Sequence, residues 1–97
     1  MKIRTIVYGT TFKKAKDFLE TELYPKYKDK IIRRDDYENF IWLETEDEIV
    51  QTYIKGQMPS RCHKVFYDVE EDEVVLEAIL FPLVSLNPVL ENRVVPY

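Results

Sequence analysis

The spacing of apolar and polar residues divides the chain into short segments. Ile3-Arg4-Thr5-Ile6-Val7-Tyr8 is rich in β-formers and stops at Gly9, which predicts a first strand. Thr10 or Thr11 then offers a helix N-cap. Phe12, Ala15, Leu19 and Leu23 recur at helical spacing with Phe18 beside them, and Lys13, Lys14, Lys16, Asp17 and Glu20 fill the other face. Pro25 disfavours helical backbone in the residue before it, so this helix is expected to end near Tyr24. Lys26 to Asp29 reads as a polar connection, Lys30-Ile31-Ile32-Arg33 as a second strand and Asp35 to Asn39 as a turn. Phe40-Ile41-Trp42-Leu43 is a continuous apolar run, the pattern of a strand buried on both faces.

The stretch Glu48–Ile54 is ambiguous. Thr45-Glu46-Asp47-Glu48 matches a capping box and Gly56 stands at a C-cap position, yet Ile49, Val50, Thr52, Tyr53 and Ile54 are strand formers. Strand is the preferred reading. Lys55 to Ser60 reads as a loop and Lys64-Val65-Phe66-Tyr67 as the clearest later strand. Asp68-Val69-Glu70-Glu71 has the form of a capping box, and Glu70 to Glu73 suit the positive end of a helix dipole. The helix predicted there runs through Val75, Leu76, Ile79 and Leu80 and fails at Pro82. Leu83 to Leu86 is a candidate last strand, and residues 87–97 read as a C-terminal turn and tail. The expectation is a single α/β domain over 1–97, with a mixed sheet of about five strands and two helices in the order βαββββα(β).

Composition narrows the function classes. With 45% hydrophobic and 33% charged residues, the chain of 97 residues has the make-up of a globular domain. A chain of this length buries roughly two-thirds of its unfolded surface, enough for one two-layer core but leaving little room for a deep, walled active site. No apolar stretch approaches the roughly 20 residues needed to span a bilayer, and Met1-Lys2-Ile3-Arg4 does not lead into a signal-peptide core, so no membrane partner and a cytoplasmic location are expected. Two glycines and two alanines amid many Lys, Ile, Tyr, Phe and Glu point to an AT-rich coding sequence, as in a low-GC bacterium or its phage.

The net charge of −4 hides a split. Residues 1–34 carry ten Lys or Arg against four Asp or Glu, and residues 35–97 carry four against fourteen. Such asymmetry concerns partners and self-association rather than fold. Lys26, Lys28, Lys30, Arg33 and Arg34, with Tyr24, Tyr27 and Tyr37 interleaved, form a candidate binding patch for phosphate or nucleic acid, or a charged edge strand. The acidic total, with fourteen acids in the remaining chain, argues against a duplex binder. The acidic clusters could instead form a surface that mimics a nucleic-acid backbone and occupies a basic cleft on a protein; a solvated face is the commoner meaning of such runs.

Chemistry-bearing residues concentrate in Pro59 to Asp68. Arg61, His63, Lys64 and Asp68 are candidate binding residues. Cys62 and His63 are the only cysteine and histidine, but adjacent strand residues point to opposite faces and do not converge as a nucleophile pair. Zinc would need further ligands, so no metal and no cofactor are expected. The order Phe40–Leu43, Glu48–Ile54, Arg61, then Val65–Asp68 ending in an acid resembles P-loop ATPases of the phage terminase type. That resemblance covers about residues 2–84. It implies a strand and helix at Ile3–Tyr8 and Phe12–Tyr24 as the start of such a core, and Asp68 as a magnesium-binding acid. The chain departs from the family where nucleotide chemistry is done. Gly9-Thr10-Thr11-Phe12-Lys13-Lys14-Ala15 lacks the second glycine and the Lys-Ser/Thr pair that cradle phosphate, and Val69 stands where a catalytic Glu would follow Asp68.

The expectation is therefore a non-catalytic acidic binding protein, phage-encoded, that acts on a host protein or complex as an inhibitor of a nuclease or defence system. The alternatives are a degenerate P-loop-like domain binding a nucleotide or nucleic acid in packaging or replication, and a homo-oligomer that sequesters a small molecule.

Overall fold

The computed structural model describes residues 2–57, 61–75 and 94–97. Six strands, β1 (Ile3–Gly9), β2 (Arg33–Tyr37), β3 (Phe40–Glu44), β4 (Glu48–Ile54), β5 (Lys64–Tyr67) and β6 (Val94–Pro96), form one mixed sheet in the order β2-β3-β4-β1-β5-β6. β1 runs parallel to both of its neighbours, β4 and β5. β3 is antiparallel to β2 and to β4, and β6 is parallel to β5. Glu48–Ile54 is a strand, and the architecture is the mixed α/β arrangement that the residue pattern predicts.

One face of the sheet is covered by a helix that runs without a break through α1 (Phe12–Phe18), a π-helical turn (Leu19–Leu23) and α2 (Tyr24–Tyr27). Thr11 caps it by accepting the Lys14 N–H. Ala15, Leu19 and Leu23 pack on Val7, Ile41, Leu43 and Val50, all buried. Each fully buried aliphatic side chain in such a layer contributes about 1.5–3 kcal/mol. Gly9 lets the strand end meet the helix start: a Cβ there would lie 2.6 Å from the Thr11 carbonyl oxygen and 2.9 Å from the Ala15 nitrogen.

The structure corrects several local expectations. The helix passes Tyr24 and ends at Tyr27. The π turn places the Tyr24 N–H on the Leu19 carbonyl, and Pro25 then stands in the first turn of α2, a position that tolerates its missing donor. The second strand is Arg33–Tyr37, not Lys30–Arg33, and the turn shrinks to Glu38-Asn39. Lys30 is tied into the helix exit by its N–H on the Tyr27 carbonyl, and Ile31 packs beneath the helix end. Pairing with β3 then pulls the charged residues that follow into the sheet, which an edge strand tolerates.

β3 is buried on one face only: Ile41 and Leu43 are buried, while Phe40 and Trp42 are half-buried on the other side. Asp68 does not cap a helix. Among the described residues the later helix is the turn α3 (Glu73–Val75), where Asp72 accepts the Val74 N–H. The end of the expected tail is the strand β6. The predicted continuation of that helix past Val75, the candidate strand Leu83–Leu86 and the turn at Asn87-Pro88 lie outside the described residues.

Candidate functional site

Parallel strands β1, β4 and β5 end side by side, and their exits meet at the carboxyl edge of the sheet, the position where open α/β sheets place ligands. The residues gathered there are Thr10 and Lys14 after β1, Lys55 after β4, and Asp68 and Glu71 after β5. Both acids are buried. One Asp68 carboxylate oxygen, Oδ2, accepts the Thr10 hydroxyl at 2.7 Å and the Thr10 N–H at 3.3 Å, and lies 3.3 Å from Lys14 Nζ. The other, Oδ1, accepts the Glu70 N–H at 2.9 Å. Glu71 accepts the Tyr8 hydroxyl at 2.6 Å and the Asp72 N–H at 2.7 Å, with Lys55 Nζ at 3.6 Å.

Electrostatics follow from those contacts. Burial pushes the Asp68 carboxyl up, but the bonds from the Thr10 side chain, the Glu70 and Thr10 N–H groups and Lys14 outweigh it and hold it below its ordinary value. The Glu71 carboxyl is likewise raised by burial and lowered further by Tyr8, the Asp72 N–H and Lys55, with a net depression. Burial and the Glu71 carboxylate raise the Tyr8 phenol well above the usual range. Among the described residues, no buried side-chain nitrogen or oxygen lacks a hydrogen-bond partner. The Thr10 amide and Lys14, the groups an anion would use at the start of the helix, are held by the chain's own Asp68 carboxylate. Both acids work as internal anchors that clamp the β5 exit to the β1 exit. An adjoining cleft of about 480 Å³ is lined by Lys14, Phe18, Asp68, Val69 and Tyr97 among others, with Phe18 stacked on Tyr97 at 4.3 Å.

The remaining sequence-predicted residues do not join Asp68. Arg61 is exposed, His63 half-buried, and both precede β5 at its amino end. His63 Nδ1 accepts the Arg4 N–H at 3.0 Å and the His63 N–H reaches the Arg4 carbonyl at 2.8 Å, so the imidazole stitches β5 to β1. Lys64 Nζ lies 4.7 Å from the centre of the Phe66 ring. Cys62 is buried among Ile6, Tyr8 and Val65, and burial pushes its thiol up to about 11. Among the described residues no group of three or more His, Cys, Asp or Glu could hold a metal ion.

The basic segment divides as well. Lys26, Lys28 and Lys30 are exposed at and beyond the helix end. Arg33 and Arg34, adjacent on β2, point to opposite faces of the sheet. Arg34 lies over the Tyr24 ring and pairs with Glu20 and Asp36, so it belongs to the helix side. Arg33 pairs with Asp35 at 2.6 Å and lies over Trp42. Five of the eight ion pairs among the described residues join the basic first third to the acidic remainder. The charge split is folded into one body rather than laid out as two arms.

What strand order assembles, and the linear pattern does not display, is the face of the sheet away from the helix. Tyr37 is opposite Phe40, and Tyr8 lies between Tyr53 and Tyr67 in register. Phe40 and Tyr53 meet edge-on at 6.1 Å, which closes a row of five aromatic rings across five strands. From Tyr8 toward β2 exposure rises: Tyr8 is 3% exposed and Tyr37 is 57% exposed, while Tyr67 on the other side of Tyr8 is half-buried. One step along the strands stands Trp42, with the Arg33 guanidinium 5.5 Å and the Arg4 guanidinium 5.9 Å from its ring centre, reaching it from opposite sides of β3. Arg4 also donates to Gln51 at 3.2 Å, while Trp42 donates to Glu44, which pairs with Lys2.

The sequence signals for this face are Arg33 and Tyr37 in the basic–aromatic segment and the period-2 placement of Phe40 and Trp42, Gln51 and Tyr53. They become informative once the register is known. No family model, curated protein or solved structure matches the chain. The arrangement is therefore read from its own chemistry.

Proposed function

We propose that the chain is a non-catalytic binding domain that holds another protein through the open half of its sheet, at Arg4, Arg33, Tyr37, Phe40, Trp42 and Tyr53. The observation that carries this reading is the Arg4–Trp42–Arg33 stack beside the aromatic row, left half-buried to exposed on the described surface. Tyr, Trp and Arg are the residues that dominate binding energy at protein interfaces, because they combine large apolar area with a directional polar group. Local charge on this face is close to balance, with Lys2, Arg4 and Arg33 against Asp35 and Glu44. A phosphate backbone requires a net positive track, so the balance favours a protein partner over nucleic acid. The carboxyl-edge acids support the non-catalytic part of the reading, since each is saturated by the chain's own donors.

The finer reading is a small phage-encoded protein that acts in the cytoplasm of a bacterial host by blocking a nuclease or defence machine. It rests on the terminase-type resemblance and on the surface acids left outside the ion pairs. The test is affinity capture from a bacterial host lysate with the wild-type chain and with Trp42→Ala and Tyr37→Ser. A partner retained by the wild type and lost, about 30-fold or more in affinity, from W42A supports the reading. A partner held equally by all three overturns it. Trp42 is the only tryptophan, so its fluorescence reports directly on this face. Salt-sensitive quenching by a single-stranded oligonucleotide would move the assignment to nucleic acid.

A second reading, a degenerate P-loop-like domain, has one observation behind it. The acid ending β5, Asp68, reaches the first residues after β1, the juxtaposition that a P-loop core requires. Calorimetric titration with ATP and magnesium tests it: clear heat favours this second reading, and its absence leaves the protein-binding one.

A further inference from the structure

Among the described residues β2 is the outer strand of the sheet with β3 as its single neighbour, so alternate backbone N–H and C=O groups point away from the described sheet. Natural edges are commonly protected by charged side chains, lysine above all, by proline or by a bulge. β2 has no lysine and no proline, and its charges cancel within the strand. Its five residues are Arg33-Arg34-Asp35-Asp36-Tyr37, two cations and two anions, and each cation is paired within the strand, Arg33 with Asp35 at 2.6 Å and Arg34 with Asp36 at 2.9 Å. The edge is electrically neutral and does not repel an identical strand. Two of the four large hydrophobic residues exposed on the described surface, Ile32 and Tyr37, stand at its two ends. The opposite edge of the described sheet, β6, has three residues and ends in Pro96, which cannot donate to a further strand.

We propose that β2 pairs antiparallel with β2 of a second copy of this chain, joining two six-stranded sheets into one. The register follows from geometry. In a two-fold antiparallel pair lying in one sheet, opposed side chains share a face, so the axis passes through a residue and not between two. Only an axis at Asp35, the centre of the strand, pairs all five residues. Arg34 then stands opposite Asp36 of the second copy on the helix side, twice by symmetry. Arg33 stands opposite Tyr37 of the second copy on the other side, also twice. The two Asp35 carboxylates meet at the axis, each already neutralised by its own Arg33. Opposite charges and cation–aromatic pairs at such cross-strand positions are stabilising, and like charges are not.

The helix-side half of this surface is separable from the open face, because Arg34 and Asp36 point to the helix side while Arg33 and Tyr37 are shared with that face. The test is a charge exchange. In Asp36→Arg, positions 34 and 36 are both cationic; in Arg34→Asp, both are anionic. Each variant alone opposes like charges and should dimerise at least about tenfold more weakly than the wild type. An equimolar mixture restores both opposed pairs and should form a heterodimer.

Sedimentation across a concentration series reads all of this, with circular dichroism to confirm folding. A wild-type dimer, two weakened variants and a restored mixture support the proposal. A wild-type chain that stays at its monomer mass of 11.7 kDa throughout overturns it. So does a dimer unaffected by either variant, or a mixture that fails to recover. Asp36 is exposed, so D36R is expected to keep the fold and carries the test alone should R34D not fold: a D36R dimer as tight as the wild type overturns the proposal.

Discussion

The carboxyl edge of β1 and β5 and the open face over β2 and β3 carry comparable chemical groups but use them in opposite ways. At the edge, Asp68 and Glu71 are buried and every carboxylate oxygen described there has a donor from the same chain. On the face, Tyr37, Trp42, Arg33 and Arg4 remain in reach of solvent and their contacts leave aromatic surface uncovered. The edge looks functional in the sequence, with an acid closing an apolar strand. Its work is to lock strand exits together. The face looks ordinary in the sequence and is where aromatic surface stays uncovered. Saturated polar groups serve stability, and the uncovered amphipathic ones are what the proposed recognition would use.

The largest effect expected from this contrast comes from Asp68→Ala. It strips the acceptor from the Thr10 hydroxyl and N–H, the Glu70 N–H and Lys14, and should cost about 3 kcal/mol in denaturant unfolding. A cost under about 1 kcal/mol would show that the edge is not the lock it resembles.

Acidification should unmake the same network without mutation. The Asp68 and Glu71 carboxyls are held below their ordinary values of 3.8 and 4.5, so the unfolded chain binds protons first as pH falls. Their contribution is complete at neutral pH. It should be lost as pH drops below about 4.5 and on toward the depressed folded values. A thermal midpoint that stays level through that window contradicts the lowered carboxyls. At the alkaline end the raised phenols of Tyr8, Tyr27 and Tyr97 act likewise: stability should fall as pH rises past the ordinary value of 10.0, because the unfolded chain loses these protons first.

Tyr8→Phe sharpens the contrast within one residue. The ring stays in the aromatic row and the hydroxyl that Glu71 accepts is gone, so a loss of about 1–2 kcal/mol is expected. Tyr37→Ser, at the exposed end of the same row, should change stability by less than about 0.5 kcal/mol. If the two variants cost the same, the gradient of burial along the row has no energetic meaning.

Much of the fold was legible in the linear chain, because local rules act there with little competition. Gly9 ends the first strand and Thr11 caps the helix, whose apolar positions 15, 19 and 23 face the sheet. Lys64–Tyr67 is a strand as its β-formers require, and the clash of signals over Glu48–Ile54 resolves to strand because β1 and β3 pair on either side of it. The errors share one physical origin. Arg33–Tyr37 has no strand pattern of its own and is strand through β3, Pro25 is accommodated by a π turn two residues earlier, and Asp68 is drawn from helix capping to Thr10 and Lys14 by the juxtaposition of β1 and β5.

The candidate site was less legible than the fold. Arg61, His63 and Lys64 sit at the opposite end of β5 from Asp68, though only a few residues separate them, because a strand carries its two ends apart. Arg33 and Arg34 fall on opposite faces for the same reason that adjacent strand residues always do. Conversely, Tyr37, Phe40, Tyr53, Tyr8 and Tyr67 span sixty positions of the chain and form one row only through strand order.

By itself, the sequence determined where elements begin, which helix face is apolar, and that basic and acidic residues are unevenly divided along the chain. Those properties depend on spacing and on neighbours within a few residues. The tertiary structure alone decided which charges are spent on each other, which acids are sealed, and which aromatics share a face. Those depend on sheet order and register, which are set by the packing of distant segments.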